Sequence, residues 1–130
     1  AQSYLDRHGV PKSVADLDKH RIVTFGEPVP SYLSGLNVLE TIGRPSGLKR
    51  ESALQINDLM SIRRAVKRGV GIAMLPDYMA GEGTGMVPVL PELEGPSFDT
   101  FFVYPDAMKN QAKLKAFRDF MFGLARDWTY

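Results

Sequence analysis

An open α/β sheet, mostly parallel and flanked by helices, is the fold class that this sequence predicts. Three observations predict it. Residues 53–75 read as strand, capped helix and second strand, the βαβ arrangement that makes its two strands run parallel. The run Val70-Gly71-Ile72-Ala73-Met74-Leu75 is apolar throughout and of strand length, as suits a strand covered on both faces. Strand-like and helix-like segments alternate along the rest of the chain, with no internal repeat, no low-complexity tract and no linker long enough to divide it.

Taken in order, residues 2–8 suit a short helix and residues 13–17 another, begun by Pro11 and Ser13. Residues 21–25 form a strand, ended by Gly26, Pro28 and Pro30. Tyr32, Leu33, Leu36, Leu39 and Ile42 recur at three or four, which predicts a helix over 31–42 with Gly43 as its C-cap, although Gly35 weakens it by about 1 kcal/mol relative to Ala. After a loop at 43–47, Ala53-Leu54-Gln55-Ile56 alternates as a half-buried strand does, and Asn57-Asp58 stops the alternation. Asp58 is the N-cap candidate, because its carboxylate accepts an orphan backbone N–H near Ser61 and suits the positive end of a helix. Leu59, Ile62, Ala65 and Val66 then form a buried stripe, Lys67 and Arg68 occupy the last turn, and Gly69 closes the helix. Beyond the apolar strand 70–75, one helical turn at 77–80, a glycine-rich connection at 81–85, strands at 86–90 and 100–104, and a loop between them are expected. A long amphipathic helix from Asn110 ends the chain, with Leu114, Phe117, Met121, Leu124, Ala125 and Trp128 on one stripe.

At 130 residues, 44% of them hydrophobic, the chain fits one α/β domain over 1–130 and buries roughly two thirds of its unfolded surface. A net charge of +1 sets up no strong field, so composition points neither to general nucleic-acid affinity nor to a membrane surface. The absence of cysteine excludes disulfides, thiolate catalysis and cysteine metal sites, and is compatible with a cytoplasmic location. No apolar run has the length of a membrane span, and the chain starts without a signal-peptide pattern. It begins at Ala1 rather than Met, which suggests a processed protein or a piece of a longer one.

In open α/β sheets ligands bind beyond the carboxyl ends of the strands, at helix starts where backbone N–H groups lack partners. Three loops satisfy that rule: Thr24-Phe25-Gly26, Asn57-Asp58 and Leu75-Pro76-Asp77. Thr24, Phe25 and Gly26 offer a hydroxyl, an aromatic face and close backbone approach; the plainer reading is a strand end and a turn. Asn57 donates and accepts in a pocket, whereas Asp58 is most simply a cap. Arg63, Arg64, Lys67 and Arg68 share a helical face, which reads as a solvated outer surface better than as a nucleic-acid patch, since no aromatic residues interleave. Residues 81–85 and Gly69-Val70-Gly71 are turns rather than phosphate loops: the first has no Lys-Ser or Lys-Thr after it and precedes a strand rather than a helix, and the second lacks the third glycine of a dinucleotide fingerprint. His8 and His20 lack metal-ligand spacing, so no metal and no cofactor is expected; His20, after Asp16 and Asp18, suits a local hydrogen bond. Several Asp and Glu residues are present, but no pair is flanked by a pattern that would raise one pKa for acid–base work, there is no nucleophile elbow, and no catalytic residue is assigned.

Residues 57–76, with a polar cap, a short helix, the GVGIA glycines and a terminal Leu-Pro, resemble the effector-binding domain of LysR-type transcriptional regulators. Ala1-Gln2-Ser3-Tyr4-Leu5 with His8-Gly9, Asp16-Leu17 before His20-Arg21, residues 86–91, and Phe102-Val103-Tyr104-Pro105 ahead of a Lys-rich final helix resemble the second half of that domain in the same order. The resemblance implies one subdomain of a type 2 periplasmic-binding-protein fold over about 1–97, plus a closing strand and return helix over about 98–130, with the DNA-binding winged helix-turn-helix and the first subdomain absent from this chain. It implies a small-molecule effector held between two subdomains, with Thr24, Phe25, Gly26, Asn57 and Asp58 on one wall, and a homodimer or tetramer that contacts DNA only through its N-terminal domain. Many members of the family carry a neutral hydroxyl residue where Asp58 stands, so the effector here is less anionic than is common or Asp58 faces away. A small α/β enzyme and one lobe of a solute-binding protein are the alternatives.

Overall fold

The computed structural model describes residues 1–81, 83–97 and 99–126. The chain divides into two compact units, Ala1–Pro96 and Ser97–Tyr130. It is an α/β protein with a small parallel sheet and flanking helices, as the alternation of segments predicts.

In the first unit, helix α1 (Gln2–His8) precedes a 3₁₀ segment, Val14–Lys19. Strand β1 (Ile22–Phe25) follows, then a second 3₁₀ segment, Ser31–Glu40. Strand β2 (Ser52–Ile56), helix α2 (Leu59–Lys67) and the one-turn helix α3 (Asp77–Ala80) complete the regular elements. β1 and β2 pair in parallel, with Val23 opposite Leu54, Thr24 opposite Gln55 and Phe25 opposite Ile56. On its other side β1 meets Ile72 through a parallel bridge: Ile72 N–H donates to the Arg21 carbonyl at 2.9 Å, and Val23 N–H donates to the Ile72 carbonyl at 2.8 Å. β1 is therefore the covered central strand, and all four of its residues are buried. Successive β1 side chains point to opposite faces of the sheet. Ile22 packs with Tyr4, Leu5, Leu17, Leu39, Ile72 and Leu90. Val23 and Phe25 pack on the other face against Ile62 and Val66 of α2, two of the four residues in the stripe read from the helical spacing.

Several expected elements take a different form. Residues 31–40 wind as a 3₁₀ segment rather than an α-helix, with Leu33 N–H donating to Pro30 and Thr41 N–H to Val38. Gly35 lowers the local helix propensity, and it also lies against Pro96, whose Cβ would stand 2.6 Å from an alanine methyl there. The apolar run 70–75 joins the sheet at Ile72 alone, and 86–90 and 100–104 form no strand. A strand needs a neighbour for its peptide groups, and Pro88 removes one of the donors. β2 is exposed over Ala53, Leu54 and Gln55 rather than half-buried, because it is an edge strand. His20 finds its partner in the Tyr4 hydroxyl, at 3.2 Å from Nδ1, rather than in an aspartate. Asp16 instead accepts the Ser13 backbone N–H at 3.0 Å and the Ser13 hydroxyl at 2.9 Å, tying down the start of the first 3₁₀ segment.

In the second unit a 3₁₀ turn, Asp106–Met108, leads to helix α4 (Ala112–Arg126). Phe102 sits among Tyr104, Phe117 and Phe122 with ring centroids 5.7–6.3 Å apart. Leu114 and Met121 of the expected stripe are half-buried, but Phe117 remains 54% exposed and Leu124 45%. Trp128 lies outside the described residues.

Candidate functional site

The parallel register brings the carboxyl ends of β1 and β2 side by side. Gly26 N–H donates to the Ile56 carbonyl at 3.3 Å, so the ladder continues one residue past β1 and places Gly26 beside Asn57. A Cβ on Gly26 would overlap the Asn57 carboxamide, so a side chain here would have to push that group aside. Gly26 and Asn57 are thus brought together, and Asp58 follows at the start of α2. The third loop, 75–77, lies at the same end of the sheet because Ile72 runs parallel to Ile22, with Pro76 as the N-cap of α3 and Asp77 exposed.

Asp58 is the N-cap of α2: its carboxylate accepts Ser61 N–H at 2.7 Å and Met60 N–H at 3.3 Å. Hydrogen bonds from the Ser61 side chain, then from the Ser61 and Met60 backbones, hold its pKa below the ordinary carboxylate range, with a smaller contribution from the charge of Arg64. The carboxylate is therefore ionised at neutral pH and directed at its own helix, as a cap should be.

Thr24 and Phe25 lie deeper than their sequence reading implies. The Thr24 side chain is 1% exposed, with its hydroxyl 2.7 Å from that of Ser52. Ser52 in turn donates to the buried Glu40 carboxylate at 3.0 Å, and Lys49 pairs with the other Glu40 oxygen at 3.4 Å. Because Ser52 gives its proton to Glu40, Thr24 gives its own to Ser52. The Phe25 ring packs in the core over α2. Its peptide groups are clamped by Asn37, whose Oδ1 accepts Phe25 N–H at 2.8 Å while Nδ2 donates to the Phe25 carbonyl at 2.9 Å. Sequence reasoning missed Asn37, Glu40 and Ser52. The faint signal was a polar residue at each of positions 37 and 40 inside an apolar periodic segment.

A groove of about 400 Å³ adjoins this end of the sheet, bordered by Glu27, Val29, Asn37, Glu40 and Lys49. A separate apolar cavity of about 320 Å³ lies among Tyr4, Leu17, Leu39, Ile72, Met74 and Leu90 and touches none of the five candidate residues. On the outer face of α2, Arg64, Lys67 and Arg68 are exposed, while Arg63 Nε donates to the Met79 carbonyl at 2.9 Å and ties α2 to α3. Among the described residues no group of three or more His, Cys, Asp or Glu side chains is placed to hold a metal ion, and no helix is long and apolar enough to cross a membrane.

A small parallel sheet with its strand ends and a capped helix start gathered at one edge is the architecture of an α/β ligand-binding domain. The model of the LysR substrate binding domain matches residues 1–125, and the chain belongs to that family. It is also similar to an uncharacterized HTH-type transcriptional regulator of Haemophilus influenzae, 25% identical over 111 residues that cover 80% of this chain. The chain spans 36% of that relative's length. No solved structure matches it.

Proposed function

We propose that this chain is the effector-sensing part of a LysR-type DNA-binding transcriptional regulator. A small molecule is held at the carboxyl ends of β1 and β2, where Thr24, Phe25, Gly26, Asn57 and Asp58 form one wall of a cleft whose other wall comes from a second α/β subdomain. Residues 1–97 serve as one effector-binding subdomain, and residues 98–130 as its closing segment and return helix. The complete regulator is a cytoplasmic homo-oligomer that touches DNA through a helix-turn-helix region outside this chain. It has no enzymatic role. Effector binding shifts a pre-existing balance between subdomain arrangements and so alters the DNA contacts.

The observation that carries the reading is the meeting of Gly26 with Asn57 across the parallel strand ends, in a member of a substrate-binding family. On this reading the residues divide the work. Gly26 and Asn57 provide the ligand-facing surface. Thr24 and Phe25 hold it in place from beneath. The test is a transcriptional reporter driven by the regulator carrying this chain, grown across a panel of carbon and nitrogen sources. Gly26→Ala, which forces Asn57 aside, is expected to reduce the response to the inducing source at least about tenfold while leaving operator occupancy without inducer unchanged. An undiminished response in this variant would remove the strand ends from the sensing site.

A further inference from the structure

We infer that the ligand of this site is a hydrogen-bond donor, neutral or cationic, and that Asp58 is the residue that turns carboxylate ligands away. The inference rests on the proposed location of the site and follows from what its polar groups already do. The Thr24 hydroxyl proton is engaged by Ser52, in a relay that ends on the Glu40 carboxylate. Phe25 N–H is engaged by Asn37, and Gly26 N–H by the Ile56 carbonyl. The Met60 and Ser61 N–H groups, which an anion would otherwise use at the start of α2, are engaged by the Asp58 carboxylate. The field of Arg64 already acts on that carboxylate, and Lys49 is paired with Glu40.

Beyond the Asn57 carboxamide, what remains on the side chains at the strand ends is acceptor capacity. Asp58 keeps a lone pair beyond its bonds from the Met60 and Ser61 backbones and the Ser61 side chain, and Glu27, next to Gly26 in the chain, uses one oxygen on Val29 N–H at 3.3 Å and keeps the other. Among the described residues the Asn57 side chain makes no hydrogen bond, and it offers one acceptor and two donors. A carboxylate ligand placed against Gly26 would approach two like charges, Glu27 and Asp58, each one residue beyond the Gly26–Asn57 contact at the carboxyl end of the strands, with Asn57 as the side-chain donor. An amine or amide N–H meets the Asp58 and Glu27 carboxylates and the Asn57 side-chain oxygen as acceptors. Like-charge juxtaposition is the usual device by which a site rejects a wrong ligand.

The test uses three probes with the same ring and different end groups: benzylamine, benzamide and benzoate. Amide NMR of the isotope-labelled chain follows the Gly26 and Asn57 signals during each titration. Benzylamine and benzamide are expected to shift both signals at concentrations about tenfold lower than benzoate does. Asp58→Asn keeps a good N-cap and removes the charge, so it is expected to narrow that gap several-fold while the signals of the β1 core stay in place. Benzoate shifting Gly26 and Asn57 as readily as benzylamine would keep the site and overturn its donor preference. Shifts confined to other residues, or none at these two with any probe, would overturn the site and the inference together.

Discussion

At the scale of single residues, the buried Arg50, 5% exposed, ties together several parts of the first unit. Its Nη1 donates to the carbonyls of Leu39 and Ile42, Nη2 to that of Val14, and Nε to Asp18. One guanidinium thereby joins both 3₁₀ segments to the entry of β2. Arg50→Ala strands those carbonyls while Asp18 keeps Arg44 at 3.3 Å, and the expected loss of stability is about 2–4 kcal/mol in urea unfolding. His20 gives a pH signature. Burial, and then the charge of His8, push its pKa below the ordinary imidazole value, and its Nδ1 lies 3.2 Å from the Tyr4 hydroxyl, whose oxygen accepts Arg21 N–H at 2.8 Å. The unfolded chain binds this proton more readily than the folded one, so the contribution is present above about pH 6.5 and is lost as the pH falls toward the native pKa. Melting temperature is expected to drop between pH 7.5 and 5.5, and His20→Asn should flatten that drop. Asp58 was legible in the sequence because a cap depends on local spacing. Arg50 and Asn37 were not, since their partners lie 8 to 36 residues away in the chain.

Among the elements, α2 was the most legible and the most informative. Its cap, its stripe and its closing glycine are all local, and the structure places them as the spacing predicts: Ile62 and Val66 buried, Gly69 at φ +72°. Ile62 fills the face of β1 that carries Val23 and Phe25. Ile62→Ala is expected to cost about 2–4 kcal/mol, measured by chemical denaturation, and to loosen the Phe25 end of the strand first. The apolar runs 70–75 and 86–90 and the aromatic run 100–104 were harder to read. Their composition shows that they are apolar and extended, but whether they form ladders depends on which neighbour supplies the facing peptide groups, and that is a long-range property. The segment 31–40 winds as 3₁₀ rather than α for one local and one distant reason: Gly35 lowers the helix propensity at its centre, and the same residue packs directly on Pro96, far along the chain.

For the molecule as a whole, the class was legible and the sheet size was not. Alternating segments and a βαβ signature identify an α/β domain, yet among the described residues the ladder holds only β1, β2 and the bridge at Ile72. The second unit leaves Phe101, Phe117, Phe120 and Phe122 between 48% and 77% exposed, an apolar surface larger than scattered single residues explain. The isolated chain is accordingly expected to self-associate with rising concentration in sedimentation experiments, and Phe117→Lys with Phe120→Lys should move that association to concentrations about tenfold higher or more. The central claim, that the strand ends sense a small molecule, is tested most directly by hydrogen exchange on the regulator containing this chain, with and without an inducing compound. Slowed exchange confined to peptides covering residues 22–27 and 56–62 is the predicted result. Unchanged exchange there, with protection elsewhere in the chain, would contradict it.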